Sequence, residues 1–191
     1  TLQPGIDLQH YAEKYKDVDL IIYAGGISAL LEGEEGDTGN VEGFYRGDRT
    51  TINLPAVQTQ VMQMLQKSGK PMIFICMSGS AIAFNWESQH IPAIIQAWYG
   101  GQAAGTALAD ILFGRYNPSS KLPITFYRSD SDLPAIEDYS MKNRTYRYFN
   151  GDVLYPFGYG LSFTKFKFKK LNVPQEVQIG DTINISTEVV N

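Results

Sequence analysis

Apolar positions along this chain follow two rhythms, and they change over in its last third. Up to about residue 129, apolar runs recur: Leu20 to Ala24, Pro71 to Met77, and Pro92 to Trp98 with one Gln in it, each stopped by Gly or Ser soon after. Runs of this length without polar alternation predict strands buried on both faces, as in a parallel sheet. Helix-period segments lie between and beside them. Leu8 to Lys16 puts Leu8, Tyr11, Ala12 and Tyr15 on one face. Leu54 to Ser68 enters at Pro55, carries Val57, Val61, Met64 and Leu65 as its apolar stripe, and stops at Gly69. A short element, Ala81 to Glu87, comes next, and Gln102 to Phe113 is a small-residue helix closed by Gly114. A further strand is expected over Lys121 to Tyr127. Strands and helices in this alternation predict an α/β fold: a three-layer α/β/α sandwich around a mostly parallel sheet.

After Ser129 the helical period disappears. Tyr139, Tyr146, Tyr148, Phe149, Tyr155, Phe157, Tyr159 and Phe163 are interleaved with Gly and Pro. From Lys165 onward, Phe166, Phe168, Leu171, Val177, Ile179, Ile183, Ile185 and Val189 alternate with polar residues, the pattern of a β-sandwich. The expected division is 1–163 for the sandwich domain with its aromatic linker and 164–191 for the first strands of an incomplete β-sandwich. Thr1 is not a Met, and the alternation at Val189-Val190-Asn191 stops without a partner, so both ends read as cut.

Composition narrows the function classes. With 191 residues, 43% hydrophobic, 19% charged and a net charge of −4, the chain is globular and carries no basic run for nucleic acid or an anionic membrane surface. No segment approaches the length of a membrane-spanning helix. The single cysteine, Cys76, lies inside an apolar run and reads as a small buried hydrophobe. His10 and His90 are far apart and have no Cys neighbours, so no metal or other cofactor is expected. Ser78-Gly79-Ser80 lacks the G-x-S-x-G elbow and a His partner that a serine nucleophile needs.

The segment with most chemical content is the long loop from Gly25 to Asn53. Glu32, Glu34 and Glu35 crowd its start, directly beyond the first strand. Ligands bind at the carboxyl ends of strands in open α/β sheets. Clustered carboxyls there cannot all ionise freely, which is how a general acid acquires a raised pKa. The plain alternative is a solvated acidic loop. Asp48 and Arg49 close the loop, either as a charge-assisted pair that fixes it or as contacts to a polar ligand. Trp86 and Trp98 are candidates for stacking on the face of a ligand or for packing in the core.

Four segments together resemble the C-terminal half of glycoside hydrolase family 3: Tyr99-Gly100-Gly101-Gln102, Asn117 to Pro123, Arg144 to Phe149, and Leu154 to Phe163. The resemblance implies an α/β/α sandwich that follows a (β/α)8 barrel and precedes a fibronectin type III-like domain. It also implies a retaining β-glycosidase of β-glucosidase or β-xylosidase type, in which a nucleophile and an acid/base carboxyl stand about 5–5.5 Å apart. The family's nucleophile is an Asp on the barrel, which this chain does not contain. The acid/base is a Glu in a loop of the sandwich domain, and Glu32-Gly33-Glu34-Glu35-Gly36-Asp37 stands in the matching place. Aligning Gly33-Glu34 with the family's Gly-Glu or Ala-Glu pair makes Glu34 the acid/base, with Glu32 and Glu35 as alternatives. Glu35 replaces an expected Gly, and an insertion precedes Gly47-Asp48-Arg49. Glu32, Asp48, Arg49 and Trp86 are the candidate substrate contacts.

The implied partners are an oligosaccharide or aryl β-glycoside substrate and the N-terminal barrel of the same enzyme. The implied location is secreted or periplasmic. The competing reading is a non-catalytic carbohydrate-binding or scaffold module, for which clustered carboxyls in so long a loop serve no purpose.

Overall fold

The computed structural model describes residues 14, 15, 17–32 and 41–191. The expected helix over Leu8 to Lys16 therefore lies almost wholly outside the described residues, as do Glu34 and Glu35.

Strand β1 (Ile21–Gly26) leads into the long loop, which contains a small hairpin, β2 (Phe44–Tyr45) and β3 (Asp48–Arg49). Its turn residues Arg46 and Gly47 have φ of 51° and 92°, the left-handed pair of the tight two-residue hairpin. Helix α1 (Ala56–Gln66) follows, then β4 (Met72–Met77), helix α2 (Asn85–His90), strand β5 (Ala93–Gln96) and helix α3 (Ala104–Leu112). The sheet runs β1-β4-β5, all parallel, with Ile21 opposite Met72 and Ile73 opposite Ala93. The expected α/β sandwich with a parallel sheet is present. Of its strands β4 is the most deeply buried, with Phe74 and Cys76 fully enclosed, because it has a neighbour on each side.

The face of α1 differs from the expected stripe. Met62 and Leu65 are buried, Val61 packs against the core, and Val57 is 41% exposed. The inward positions are Gln58, Val61, Met62 and Leu65, spaced i, i+3, i+4, i+7 as a helix face requires. Gln58 occupies an inward slot because its amide grips the end of β1: Gly26 N–H donates to Oε1 at 2.8 Å, and Nε2 donates to the Gly26 carbonyl at 2.6 Å.

The fourth parallel strand expected over Lys121 to Tyr127 does not form. Phe126 makes an antiparallel bridge with Tyr155, and Leu122 exchanges backbone hydrogen bonds with the 158–159 segment. Pro123 has no N–H to give to a ladder, and the segment pairs with the aromatic stretch instead. This brings Phe126 and Tyr155 onto Phe84, which meets Phe74 edge-on at 5.9 Å, so the core is knitted by aromatic contacts.

Beyond residue 165, β6 (Lys167–Asn172) and β7 (Ser186–Val190) form an antiparallel sheet of their own. Phe168 and its partner Val189 lie exposed on it.

Candidate active site

The carboxyl ends of the three parallel strands meet at one place, and the loop after β1 is anchored there. Ile27 N–H continues the ladder onto the Met77 carbonyl at 2.8 Å. A turn then closes with Leu31 and Glu32 N–H both directed at the Ser28 carbonyl. The turn aims the Glu32 side chain back over the strand ends. Its Oε1 accepts from Ser80 Oγ at 2.7 Å and lies 3.6 Å from Arg49 Nη1. Its Oε2 accepts from the Tyr99 hydroxyl at 2.9 Å and from Gly79 N–H at 3.4 Å. Four segments far apart in sequence thus converge on one carboxylate: the β1 loop, the β3 end, the β4 end and the β5 end.

Local structure delivers each partner. The tight hairpin turns Arg49 inward, where Nη1 also donates to Ser80 Oγ at 2.8 Å and to the Ala81 carbonyl at 3.0 Å, and Nε to the Thr51 carbonyl at 3.2 Å. Arg49 Nη2 is buried with no hydrogen-bond partner among the described residues. Burial lowers the pKa of this guanidinium, and the Glu32 and Asp130 carboxylates work against that fall. Ser80 is held from below: Ser78 Oγ–H donates to the Ser80 carbonyl at 2.8 Å, and Gln96 Nε2 donates to Ser78 Oγ at 3.0 Å. Tyr99 follows Trp98, whose φ of 54° is left-handed and strained for a bulky residue. That kink ends β5 and swings the tyrosine across the neighbouring strand ends.

Arg49 and Ser80 also line one wall of a cleft of about 720 Å³, with Thr125, Tyr127, Asp130 and Tyr146 among the other lining residues. Asp130 is fixed there by Thr51 Oγ1–H and Ile52 N–H, each at 2.7 Å.

The structure gathers only part of the candidate set. Glu32 and Arg49 meet directly. Asp48 is exposed, and the carboxylate beside Arg49 belongs to Glu32. Trp86 stands on α2, its ring stacked on His90 with centroids 4.7 Å apart, and it does not line the cleft. Trp98 packs edge-on against Phe126 at 6.1 Å. Glu34 and Glu35 lie outside the described residues. Sequence reasoning gave no role to Tyr99 or Ser80, although both follow apolar strands at their carboxyl ends, where the signal was available. No group of three or more His, Cys, Asp or Glu side chains that could hold a metal occurs among the described residues.

Residues 6–163 match the model of the glycosyl hydrolase family 3 C-terminal domain. The chain belongs to that family. It is 50% identical over 187 residues to a xylan 1,4-beta-xylosidase of Xylanibacter ruminicola, covering 98% of this chain and 21% of that protein. It is 38% identical over 157 residues to a periplasmic beta-glucosidase of Salmonella typhimurium, covering 75% and 20% respectively. A solved β-glucosidase from Erythrobacter marinus superposes with a TM-score of 0.78 at 29% identity, over 95% of this chain and 24% of that one. The chain therefore spans about a fifth of the length of these curated relatives. Among the described residues, no helix is long and apolar enough to cross a membrane.

Proposed function

We propose that this chain supplies the acid/base carboxyl of a retaining β-glycosidase that acts on β-xylosides. Glu34 is the acid/base, and the nucleophile comes from an N-terminal (β/α)8 barrel in the same enzyme. The observation that carries this reading is the anchoring of the Glu-rich loop over the carboxyl ends of β1, β4 and β5, with Glu32 already engaged there. Both oxygens of Glu32 are engaged by donors of the protein itself, which favours Glu34 for the acid/base role. The 50% identity to a protein named as a xylosidase favours xylose over glucose.

The chemistry follows from two carboxyls in different protonation states. The barrel carboxylate attacks the anomeric carbon while the Glu34 carboxylic acid gives its proton to the departing glycosidic oxygen. The glycosidic bond breaks and a glycosyl ester to the barrel forms. The Glu34 carboxylate then takes a proton from water as that water attacks the anomeric carbon, which releases the sugar with retained configuration and restores both carboxyls. Arg49 is the substrate contact best supported among the remaining candidates, because it borders the cleft. Residues 164–191 begin a separate fibronectin type III-like module. Their independent two-stranded sheet and the family match ending at residue 163 support that division. A secreted or periplasmic setting agrees with the relative named as periplasmic.

The test is Glu34→Gln in the full-length protein that carries this domain. Loss of a general acid lowers kcat/KM on phenyl β-xyloside by about 10²–10⁴-fold. Near-normal turnover of that substrate by the variant would refute the assignment. A preference for phenyl β-glucoside in the unaltered protein would refute the xyloside specificity.

A further inference from the structure

Glu32 is two residues from the proposed acid/base, and its surroundings suit a different task. A residue that donates and recovers a proton must present a free oxygen to substrate. Both oxygens of Glu32 are instead spent inside the protein, on Ser80, Arg49, Tyr99 and the Gly79 amide. Its side chain is only 16% exposed, and that of Arg49 only 13%. Every one of these partners is a donor, so the pocket is built for the ionised carboxylate. The partners sit just beyond the ends of β4 and β5 and on the hairpin. Ser80 is itself backed by Ser78 and Gln96.

We propose that Glu32 is a positioning residue: with Ser80, Tyr99 and Arg49 it forms a clamp that pins the chain to the sheet two residues before Glu34. This rests on the reading of Glu34 as the acid/base. A general acid has to sit within hydrogen-bond reach of the glycosidic oxygen, and small displacements of a catalytic group cost of order 10²-fold in rate. Glu32 neither touches the sugar nor exchanges a proton in this scheme.

The experiment compares Glu32→Gln, Tyr99→Phe and Glu34→Gln in the full-length protein, on phenyl β-xyloside and on 2,4-dinitrophenyl β-xyloside. The dinitrophenolate leaves without protonation, so its kcat/KM does not need a well-placed acid, whereas phenolate departure does. The clamp predicts that Glu32→Gln lowers kcat/KM on the phenyl substrate by about 100-fold, with a loss at least tenfold smaller on the dinitrophenyl substrate. Tyr99→Phe removes one hydroxyl and keeps the ring, so it tests the clamp without threatening the fold. It should show the same selectivity at about tenfold. Both variants keep the alkaline limb of the pH profile on the phenyl substrate, because the titrating acid is still present. Glu34→Gln loses that limb.

Equal losses on both substrates, or no loss, in Glu32→Gln and Tyr99→Phe would overturn the clamp, since a general folding defect does not distinguish leaving groups. Disappearance of the alkaline limb in Glu32→Gln would overturn it by making Glu32 the acid. A normal Glu34→Gln profile would strike only the Glu34 assignment, and the other two variants would still decide the clamp.

Discussion

The Tyr99 hydroxyl lies 2.6 Å from the carbonyl oxygen of Ile27 and 2.9 Å from Glu32 Oε2, so one phenolic proton serves two acceptors. Losing that proton would set a phenolate against a carboxylate and a carbonyl. Desolvation of the hydroxyl, and after it the hydrogen bond and charge of Glu32, push its pKa up to about 12. The folded-state pKa is therefore above that of an ordinary tyrosine, about 10. The resulting stabilisation is complete below about pH 10 and drains away as pH rises toward 12. Tyrosinate absorbance should show a late-titrating component in the native protein that is missing from Tyr99→Phe. An unchanged titration curve in the variant would mean that the hydroxyl is not held as described.

Gly26 is where the end of β1 comes closest to its neighbour. Its φ is 120°, and a Cβ there would stand 1.9 Å from the Met77 carbonyl oxygen. Gln58 holds the same residue through both amide groups. Gly26→Ala must then break the parallel ladder at Met77, and we expect a loss of about 3 kcal/mol in the denaturant unfolding free energy. The proposed clamp begins six residues later, so the variant should also lose the leaving-group selectivity attributed to Glu32. A midpoint within error of the unaltered protein would show that the backbone relaxes there without cost.

The sheet was legible because β1, β4 and β5 lie in apolar runs, although only β4 is buried along most of its length: Ile22 of β1 is 50% exposed, and β5 has no fully buried residue. The inward face of α1 was misread by one step because an inward Gln carries no hydrophobic signal. Gln58 earns its slot from a backbone partner 32 residues away, which periodicity does not encode. The Lys121 to Tyr127 segment has a strand's composition, yet Pro123 and the aromatic stretch opposite redirect it into an antiparallel bridge with Tyr155. At the site, the crowding of Glu32, Glu34 and Glu35 was visible as sequence, and so was Asp48-Arg49. The pairing of Arg49 with Glu32 was not, because it depends on a tight hairpin reversing the chain before Arg49. The role of Tyr99 was not legible for a related reason: its contact spans 67 residues and follows from a backbone kink at Trp98.

Cys76 reports on the stability of the central strand. It stands in the middle of the sheet, paired with Gly25 on one side and Gln96 on the other, and is fully buried. Burial pushes its pKa up to about 12, outweighing the hydrogen bond with Ser78 that works the other way. Since the thiolate is the reactive form, the native thiol should resist an aromatic disulfide reagent at pH 8. Modification of the Cys76 peptide, read by mass spectrometry, should become complete only when denaturant opens the sheet. The folded pKa lies above that of a free thiol, so the stability it lends is whole below about pH 8.5 and fades as pH climbs toward 12. Gly26→Ala, which strains the adjoining pair of β1 with β4, should make the thiol accessible at lower denaturant. Prompt labelling of the folded protein at pH 8 would show that the sheet opens far more readily than its packing implies.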